Sequence, residues 1–197
     1  MLLAELVATS AEVAGTRSRK AKTTALARLL RALQRDEIPT AIGLLAGEIR
    51  QGRIGVGYAA AFGVAVEPAP QPGLTLSEVD AVLDQIPTVT GAGSQDRRAR
   101  LLDGLFARAT TAEQDFLRRV LTGEVRQGAL AGIVVDAVAE AYGVPAAAVR
   151  RALMLRADLG VVAATAATAG IDGLAGIGLK VLSPVQPMLA SPAASIE

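Results

Sequence analysis

A nine-residue motif occurs twice in this chain, at positions 44 and 120. The first copy is Leu44–Gly52, the second copy is Val120–Gly128, and six of the nine paired residues are identical. We call these segments motif 1 and motif 2; both contain Gly-Glu-x-Arg-Gln-Gly. An internal repeat limits the fold because each copy is expected to form the same unit. Two copies are too few for a solenoid, so we expect a pseudo-symmetric domain.

The similarity between the copies continues upstream of both motifs without a gap. Apolar and polar positions match at the same offset, in the pairs Ser18/Ser94, Lys22/Arg98, Leu26/Leu102, Leu29/Leu105 and Leu30/Phe106. Each copy therefore consists of a serine, a cationic amphipathic segment, a second apolar segment and the motif. The serines are suited to begin helices, because a serine side chain accepts a hydrogen bond from a free amide of the first turn.

The pattern of the whole chain favours an all-α fold. Apolar residues make up 51% of the sequence and aromatic residues only 3%, and many of the apolar residues are alanines, which are strong helix formers. Capping boxes begin at Thr75 and Thr110. We predict about ten helices, at residues 2–14, 19–33, 39–46, 58–62, 76–86, 95–107, 111–121, 130–142, 145–155 and 159–169.

The glycines of the motifs suggest an anion site. Gly47 and Gly123 follow apolar segments, where a left-handed glycine commonly ends a helix. The later glycines leave backbone amides without side chains over them, and free amides at a helix start bind anions. Arg50 and Arg126 stand beside these amides. Two such sites on one surface could hold two points of a phosphodiester chain. The alternative is that the glycines only form tight turns and the arginines are solvated.

The charge distribution is more informative than the formal net charge of +1. Residues 1–60 hold nine basic and five acidic residues, whereas residues 61–90 hold four acidic residues and no basic one. The positive charge therefore lies with the repeats, which is compatible with a basic face. The chain has no cysteine and no histidine, which excludes disulfides, Cys/His zinc sites and histidine general bases.

Nothing in the sequence indicates catalysis by this chain alone. It contains no phosphate-binding loop and no dinucleotide fingerprint, and its three lysines, Lys20, Lys22 and Lys180, do not stand in the context of an adenylate-accepting lysine. No signal peptide is evident. The apolar stretch at residues 161–181 carries Asp172 and Lys180, and we interpret it as a helix and a loop instead of a membrane span.

The chain resembles the N-terminal DNA-binding region of ATP-dependent DNA ligases over nearly its whole length. The resemblance rests on Ser18-Arg19, on both Gly-x-x-Arg-x-Gly turns, on Ala157–Gly160 and on Pro184–Ala190. The last segment is similar to the Pro-x-x-Pro-Met-Leu-Ala run that leads into the adenylation domain of that family. The order and spacing of these motifs make the resemblance specific.

The resemblance implies an all-α domain that grips nicked duplex DNA from the minor-groove side, in a protein that uses ATP and Mg²⁺ through parts missing here. It implies a helical domain at residues 1–182, a linker at residues 183–197, a monomer and a cytoplasmic location. The chain itself is expected to bind no cofactor. The residues expected at the DNA are Ser18, Arg19, Lys20, Gly47, Arg50, Gln51, Gly52, Arg53, Gly55, Ser94, Arg97, Gly123, Arg126, Gln127 and Gly128.

Two other functions stay open at this point. One is a helical protein–protein interaction module, which the low net charge and the high alanine content favour. The other is a helical bundle that binds a small ligand, for which a convergent set of buried polar residues would be needed. Salt-dependent binding to duplex DNA separates DNA binding from the first alternative.

Overall fold

The computed structural model describes residues 1–125 and 130–179. These residues form ten helices and no β-strand; the one β-bridge joins Leu2 and Thr75. The fold is therefore all-α, as predicted. The helices are α1 Leu3–Gly15, α2 Arg19–Ala32, α3 Ile38–Ala46, α4 Tyr58–Phe62, α5 Leu76–Thr88, α6 Ser94–Ala107, α7 Thr111–Leu121, α8 Leu130–Tyr142, α9 Ala146–Arg156 and α10 Leu159–Gly176.

The equivalent helices of the two copies, α2 and α6, present equivalent apolar residues to one continuous core. Both helices are 14 residues long. The pairs predicted from the repeat are all buried: Leu26 and Leu102, Leu29 and Leu105, Leu30 and Phe106. Ser18 caps α2 by accepting a hydrogen bond from the Ala21 amide at 3.2 Å, but Ser94 is already the first residue of α6, after the left-handed cap residue Gly93.

Helix α10 departs from the sequence prediction at its carboxyl end. The predicted stop at Gly170 is real, since its backbone leaves the helical region (φ 56°, ψ −142°), but helical structure resumes and continues to Gly176. Leu174, beyond the break, is buried in the core and holds this last segment in place. By length and composition α10 could cross a membrane, but the break interrupts it and its residues Val162, Ala163 and Ala166 are buried against other helices.

Helices α2 and α8 pack side by side and run parallel. At their first turns Arg19 Nη2 donates to the Gly132 carbonyl at 3.3 Å, and at their last turns the Tyr142 hydroxyl donates to the Leu30 carbonyl at 3.0 Å. Their amino ends therefore lie at the same end of the molecule. The positive ends of both helix dipoles add at that position, which also carries the exposed Lys20.

The capping box of α5 gives a prediction about acid stability. The pKa of Glu78 is lowered to about 2 by the Thr75 amide, by Arg108 and by the Thr75 hydroxyl. Since the folded pKa lies below the ordinary 4.5, this stabilisation is present above that value and is lost as the pH falls towards 2. We expect Glu78→Gln to lose about 1 kcal/mol at neutral pH and less at low pH, the amount being limited by solvent exposure.

Urea unfolding at several pH values measures this effect. Glu67→Gln, which removes an exposed loop carboxylate, is the matched control and should leave the pH dependence unchanged. An equal effect of Glu78→Gln at neutral and at low pH would contradict the prediction.

Candidate nucleic-acid interface

Both motifs begin with a helix that ends at a left-handed glycine. Gly47 has φ 73° and its amide donates to the carbonyl groups of the preceding α3 turn. Gly123 has φ 71°, and its amide donates to the Val120 carbonyl at 3.1 Å after α7. The role predicted for these two glycines as helix stops is confirmed. Equivalent sequence therefore gives equivalent local structure at both positions.

The two motifs also lie directly against each other. A β-carbon at Gly47 would stand 2.5 Å from the Val125 carbonyl oxygen and 2.9 Å from the Val125 side chain. Position 47 therefore requires glycine for two reasons: its φ is positive, and motif 2 approaches it closely. Between the motifs runs an open groove of about 800 Å³, lined on one side by Gly47–Ile49 and Gly52–Gly57 and on the other by Val120–Gly123.

The segment after motif 1 exposes its backbone. Gly52 and Gly55 have φ 66° and 76° and are exposed, while Ile54 between them is only 5% exposed and anchors the segment in the core. The next helix begins only at Tyr58. The Gly52 amide already donates to the Ile49 carbonyl at 2.9 Å. The rest of the segment is fixed by Ile54 and covered by few side chains, so its other peptide groups are open to a ligand.

Each repeat touches the segment that follows the motif of the other repeat. Arg19, at the start of α2, donates to the Gly132 carbonyl in α8 at 3.3 Å. A β-carbon at Gly55, after motif 1, would lie 3.3 Å from Arg98 Nη1 in α6. Two copies related by a two-fold axis would make such reciprocal contacts. The pseudo-symmetry of the whole domain stays a prediction.

Arg50 and Gln51 of motif 1 bind carboxylates of α5. Arg50 Nε lies 2.7 Å from Asp80 Oδ1, its Nη2 lies 2.7 Å from Asp80 Oδ2, and Nη2 also contacts Asp84. The Gln51 amide donates to Asp80 Oδ1 at 2.8 Å and to Asp84 Oδ1 at 3.0 Å. The acidic segment between the repeats therefore neutralises an arginine that the sequence predicts at an anion site.

The ionisation of this cluster follows from its contacts. Partial burial opposes the charge on Asp80, but hydrogen bonds from Arg50 and Gln51 outweigh it and hold the pKa of Asp80 below its ordinary value. The hydrogen bond to Asp80 raises the pKa of Arg50. With both carboxylates ionised, the cluster of one arginine and two aspartates has a net charge of −1. It holds motif 1 against α5, and its net negative charge opposes the approach of phosphate.

Two further arginines predicted at the DNA have partners within the protein. Arg19 pairs with Asp136, which also pairs with Arg150. Arg97 donates to the carbonyl groups of Thr90 and Ala92 at 2.6 and 3.0 Å and so closes the turn before α6. These contacts explain why the first turns of α2 and α6 tolerate cations, which a helix amino end otherwise disfavours.

Lys20 and Arg53 differ from those arginines. Both are exposed, and within residues 1–125 and 130–179 the structure gives neither of them an ion pair or a side-chain hydrogen bond. Arg53 belongs to the open segment between Gly52 and Gly55. Lys20 stands where the amino ends of α2 and α8 meet. Of the predicted cations that the structure describes, these two are the best placed to meet an anionic partner.

Three of the predicted site residues, Arg126, Gln127 and Gly128, lie outside the described residues, as does the run Pro184–Ala190. The nearest described residues are Val125, in motif 2, and Leu130, the first residue of α8. The roles predicted for these residues stay predictions.

Comparison with known proteins agrees with the motifs. A family model described as "DNA ligase N terminus" matches residues 58–139. The chain is 50% identical over 197 residues to a "Probable DNA ligase" of Nocardia farcinica and 52% identical over 196 residues to one of Pseudarthrobacter chlorophenolicus. It is 51% identical over 196 residues to another of Streptomyces griseus. All three matches cover 100% of this chain. The chain belongs to the DNA ligase family, as an N-terminal domain.

The chain spans 38–39% of the length of these relatives.

Two features of this domain were not predicted from the sequence. The carboxylates that bind Arg50 stand four residues apart on α5, a spacing that places them on one helix face. Tyr58 and Phe62 also stand four residues apart, and their rings stack on the surface of α4 with centroids 4.3 Å apart. Both spacings can be read from the sequence. The sequence does not show that the two carboxylates bind Arg50 or that the two rings stack in solvent.

Proposed function

We propose that this domain binds nicked duplex DNA through its sugar-phosphate backbone, so that other parts of the ligase can seal the nick. The observation that carries the proposal is the direct contact between motif 1 and motif 2 at Gly47 and Val125. It places the two glycine-rich turns side by side, as two points of contact on one phosphodiester chain require. If the glycines only formed tight turns and the arginines were solvated, the two motifs would not need to lie close together.

The groups offered to the DNA are mainly backbone amides. Gly52 and Gly55 expose peptide groups, and the parallel amino ends of α2 and α8 add positive dipole ends. Lys20 and Arg53 are exposed cations without a partner among the described residues, whereas Arg19, Arg50 and Arg97 are held by groups of the protein. The Gly52 amide is held by the Ile49 carbonyl, so we assign Lys20, Arg53 and the Gly55 amide to phosphate contact. We assign Ser18, Arg19, Arg50, Gln51, Ser94 and Arg97 to positioning of the turns.

Contacts to phosphate carry no information on base sequence. We therefore expect binding that does not depend on the duplex sequence and weakens with salt. If about three or four phosphates are neutralised, the slope of log affinity against log salt concentration should be about −3. Titration of one labelled nicked duplex, its intact counterpart and a duplex of shuffled sequence, each at four salt concentrations, measures both properties.

The expected result is tighter binding to the nicked duplex, equal affinity for both sequences and the stated salt dependence. An affinity that does not change with salt, or a strong preference for one duplex sequence, would overturn the proposal. Binding to a protein partner without binding to DNA would favour the interaction module instead.

We further infer that residues 1–182 are the DNA-binding domain, that residues 183–197 lead towards an adenylation domain, and that the domain is monomeric and acts in the cytoplasm. ATP and Mg²⁺ would serve parts of the ligase outside this chain. In the described part of the chain no three potential metal ligands cluster together. The carboxylate pair Asp80 and Asp84 binds Arg50 instead.

A further inference from the structure

An exposed pair of stacked aromatic rings follows motif 1. Tyr58 is 62% exposed and Phe62 is 42% exposed, and their ring planes differ by 21°. The whole chain has two tyrosines, three phenylalanines and no tryptophan. Phe106 and Phe116 are fully buried or nearly so. Two of the five aromatic residues therefore stand in solvent, where burial gains them nothing.

The core does not require this arrangement. Ala61 of the same short helix is fully buried and attaches α4 to the protein, while the side chains of Tyr58 and Phe62 stay exposed. Neighbouring exposed apolar side chains mark contact sites more often than single ones do.

The surroundings of the pair indicate its partner. Between Glu48 and Glu67 the sequence has no acidic residue. Of its two arginines, Arg50 is paired with Asp80 and Asp84, and Arg53 is exposed. The pair adjoins the exposed glycine segment, since Gly57 is both the residue before α4 and part of the groove between the motifs. A surface that combines flat apolar rings, open peptide groups and a free arginine matches a DNA strand, with its deoxyriboses, bases and phosphates.

We propose that Tyr58 and Phe62 form an aromatic platform that packs against the deoxyriboses and base edges of the DNA, next to the phosphates held by motif 1. The inference rests on the proposed DNA binding and adds to it an apolar contact. Aromatic contact of this kind tolerates any sequence because every nucleotide offers an apolar face. The platform would supply affinity that salt does not remove.

The proposal predicts different salt behaviour for two kinds of variant. We expect Tyr58→Ala/Phe62→Ala to weaken binding to nicked duplex at least about tenfold while leaving the salt slope unchanged, because no charge is removed. Arg53→Ala should make the slope less steep by about 1. Ile171→Ala, which truncates a side chain 50% exposed on α10, is the matched control and should bind like the parent. Tyr58→Phe keeps the ring and should retain most of the affinity.

Fluorine NMR on protein labelled with fluorotyrosine observes the platform directly. The chain has only Tyr58 and Tyr142, and Tyr142→Phe assigns the two signals. Tyr142 donates its hydroxyl to Leu30 and is partly buried between α2 and α8, so its signal serves as an internal reference. Added nicked duplex should shift or broaden the Tyr58 signal and leave the Tyr142 signal in place.

The two proposals fail in different ways. If the parent protein binds no DNA, the proposed function fails and the platform fails with it. If the parent binds, but the double variant binds equally well or the Tyr58 signal does not respond, only the platform is wrong. A Tyr58 signal that responds to protein concentration instead of DNA, with a dimer in sedimentation, would assign the rings to a second copy and overturn the platform.

Discussion

Replacing Gly47 with alanine should lower the free energy of unfolding by about 2–4 kcal/mol, a large effect for one methyl group. Position 47 has φ 73°, and the new β-carbon would stand 2.5 Å from the Val125 carbonyl oxygen. No rotation of a side chain removes this clash, since the neighbour is backbone. Either motif 2 must move or α3 must end differently.

Gly123→Ala is the matched control from the other copy of the repeat. Its φ of 71° is nearly the same, but in the described part of the chain no atom lies within 4 Å of the added β-carbon. It should cost only the strain of a left-handed alanine, about 1 kcal/mol. Urea unfolding of both variants measures the difference, which reports the contact between the motifs. Equal losses in the free energy of unfolding for the two variants would show that the contact between Gly47 and Val125 does not stabilise the fold.

Gly47→Ala also tests the proposed function. Because the substitution separates the two motifs, the affinity for nicked duplex should fall even when it is calculated per folded molecule. The affinity of Gly123→Ala should fall less. Undiminished affinity of folded Gly47→Ala would remove the proximity of the motifs as support for DNA binding.

The second large effect is expected at Arg50. Arg50→Ala should destabilise the fold by about 1–2 kcal/mol, because it leaves Asp80, whose side chain is 21% exposed, without its charged partner and next to Asp84. The pKa of Asp80, now held low, should rise in the variant, so part of the lost stability should return as the pH falls. Unfolding at neutral and at acid pH measures both effects.

Arg53→Ala is the matched variant, three residues further along the same segment. Arg53 is exposed, so its removal should hardly change stability, but it should weaken DNA binding about 5- to 30-fold, or about 1–2 kcal/mol. Arg50→Ala, per folded molecule, should weaken binding less. If Arg50→Ala leaves stability unchanged and abolishes binding, then Arg50 contacts phosphate and its carboxylates release it on the DNA.

A double-mutant cycle separates the ion pair from other effects of the substitutions. If the Arg50–Asp80 contact stabilises the fold, Arg50→Ala combined with Asp80→Ala should cost less than the sum of the two single variants. Additive costs would show that the two side chains act independently and that α5 does not position motif 1 through this pair.

Most of the local structure followed from the sequence alone; the exceptions are the cap of α6 at Gly93 and the continuation of α10 beyond Gly170. Gly47 and Gly123 end their helices in the left-handed conformation, and the capping boxes at Thr75 and Thr110 begin α5 and α7. These features depend on residues within a few positions of each other, where φ preference and a single hydrogen bond decide the conformation. The repeat also predicted which apolar residues of α2 and α6 are buried. That prediction succeeded because the periodicity of a helix depends on neighbouring residues only.

Only the tertiary structure decided what the charged residues of the site do. From the sequence, Arg50 stands beside glycine amides and acts as an anion contact; in the fold it is held by Asp80 and Asp84, 30 or more positions away. The contact of Gly47 with Val125 and that of Arg19 with Asp136 likewise join distant segments. Side-chain length and charge can be derived from a sequence, but which carboxylate comes within reach depends on how the helices pack. The sequence thus determined the helices, the turns and the family, and the packing decided which cations remain free for a phosphate.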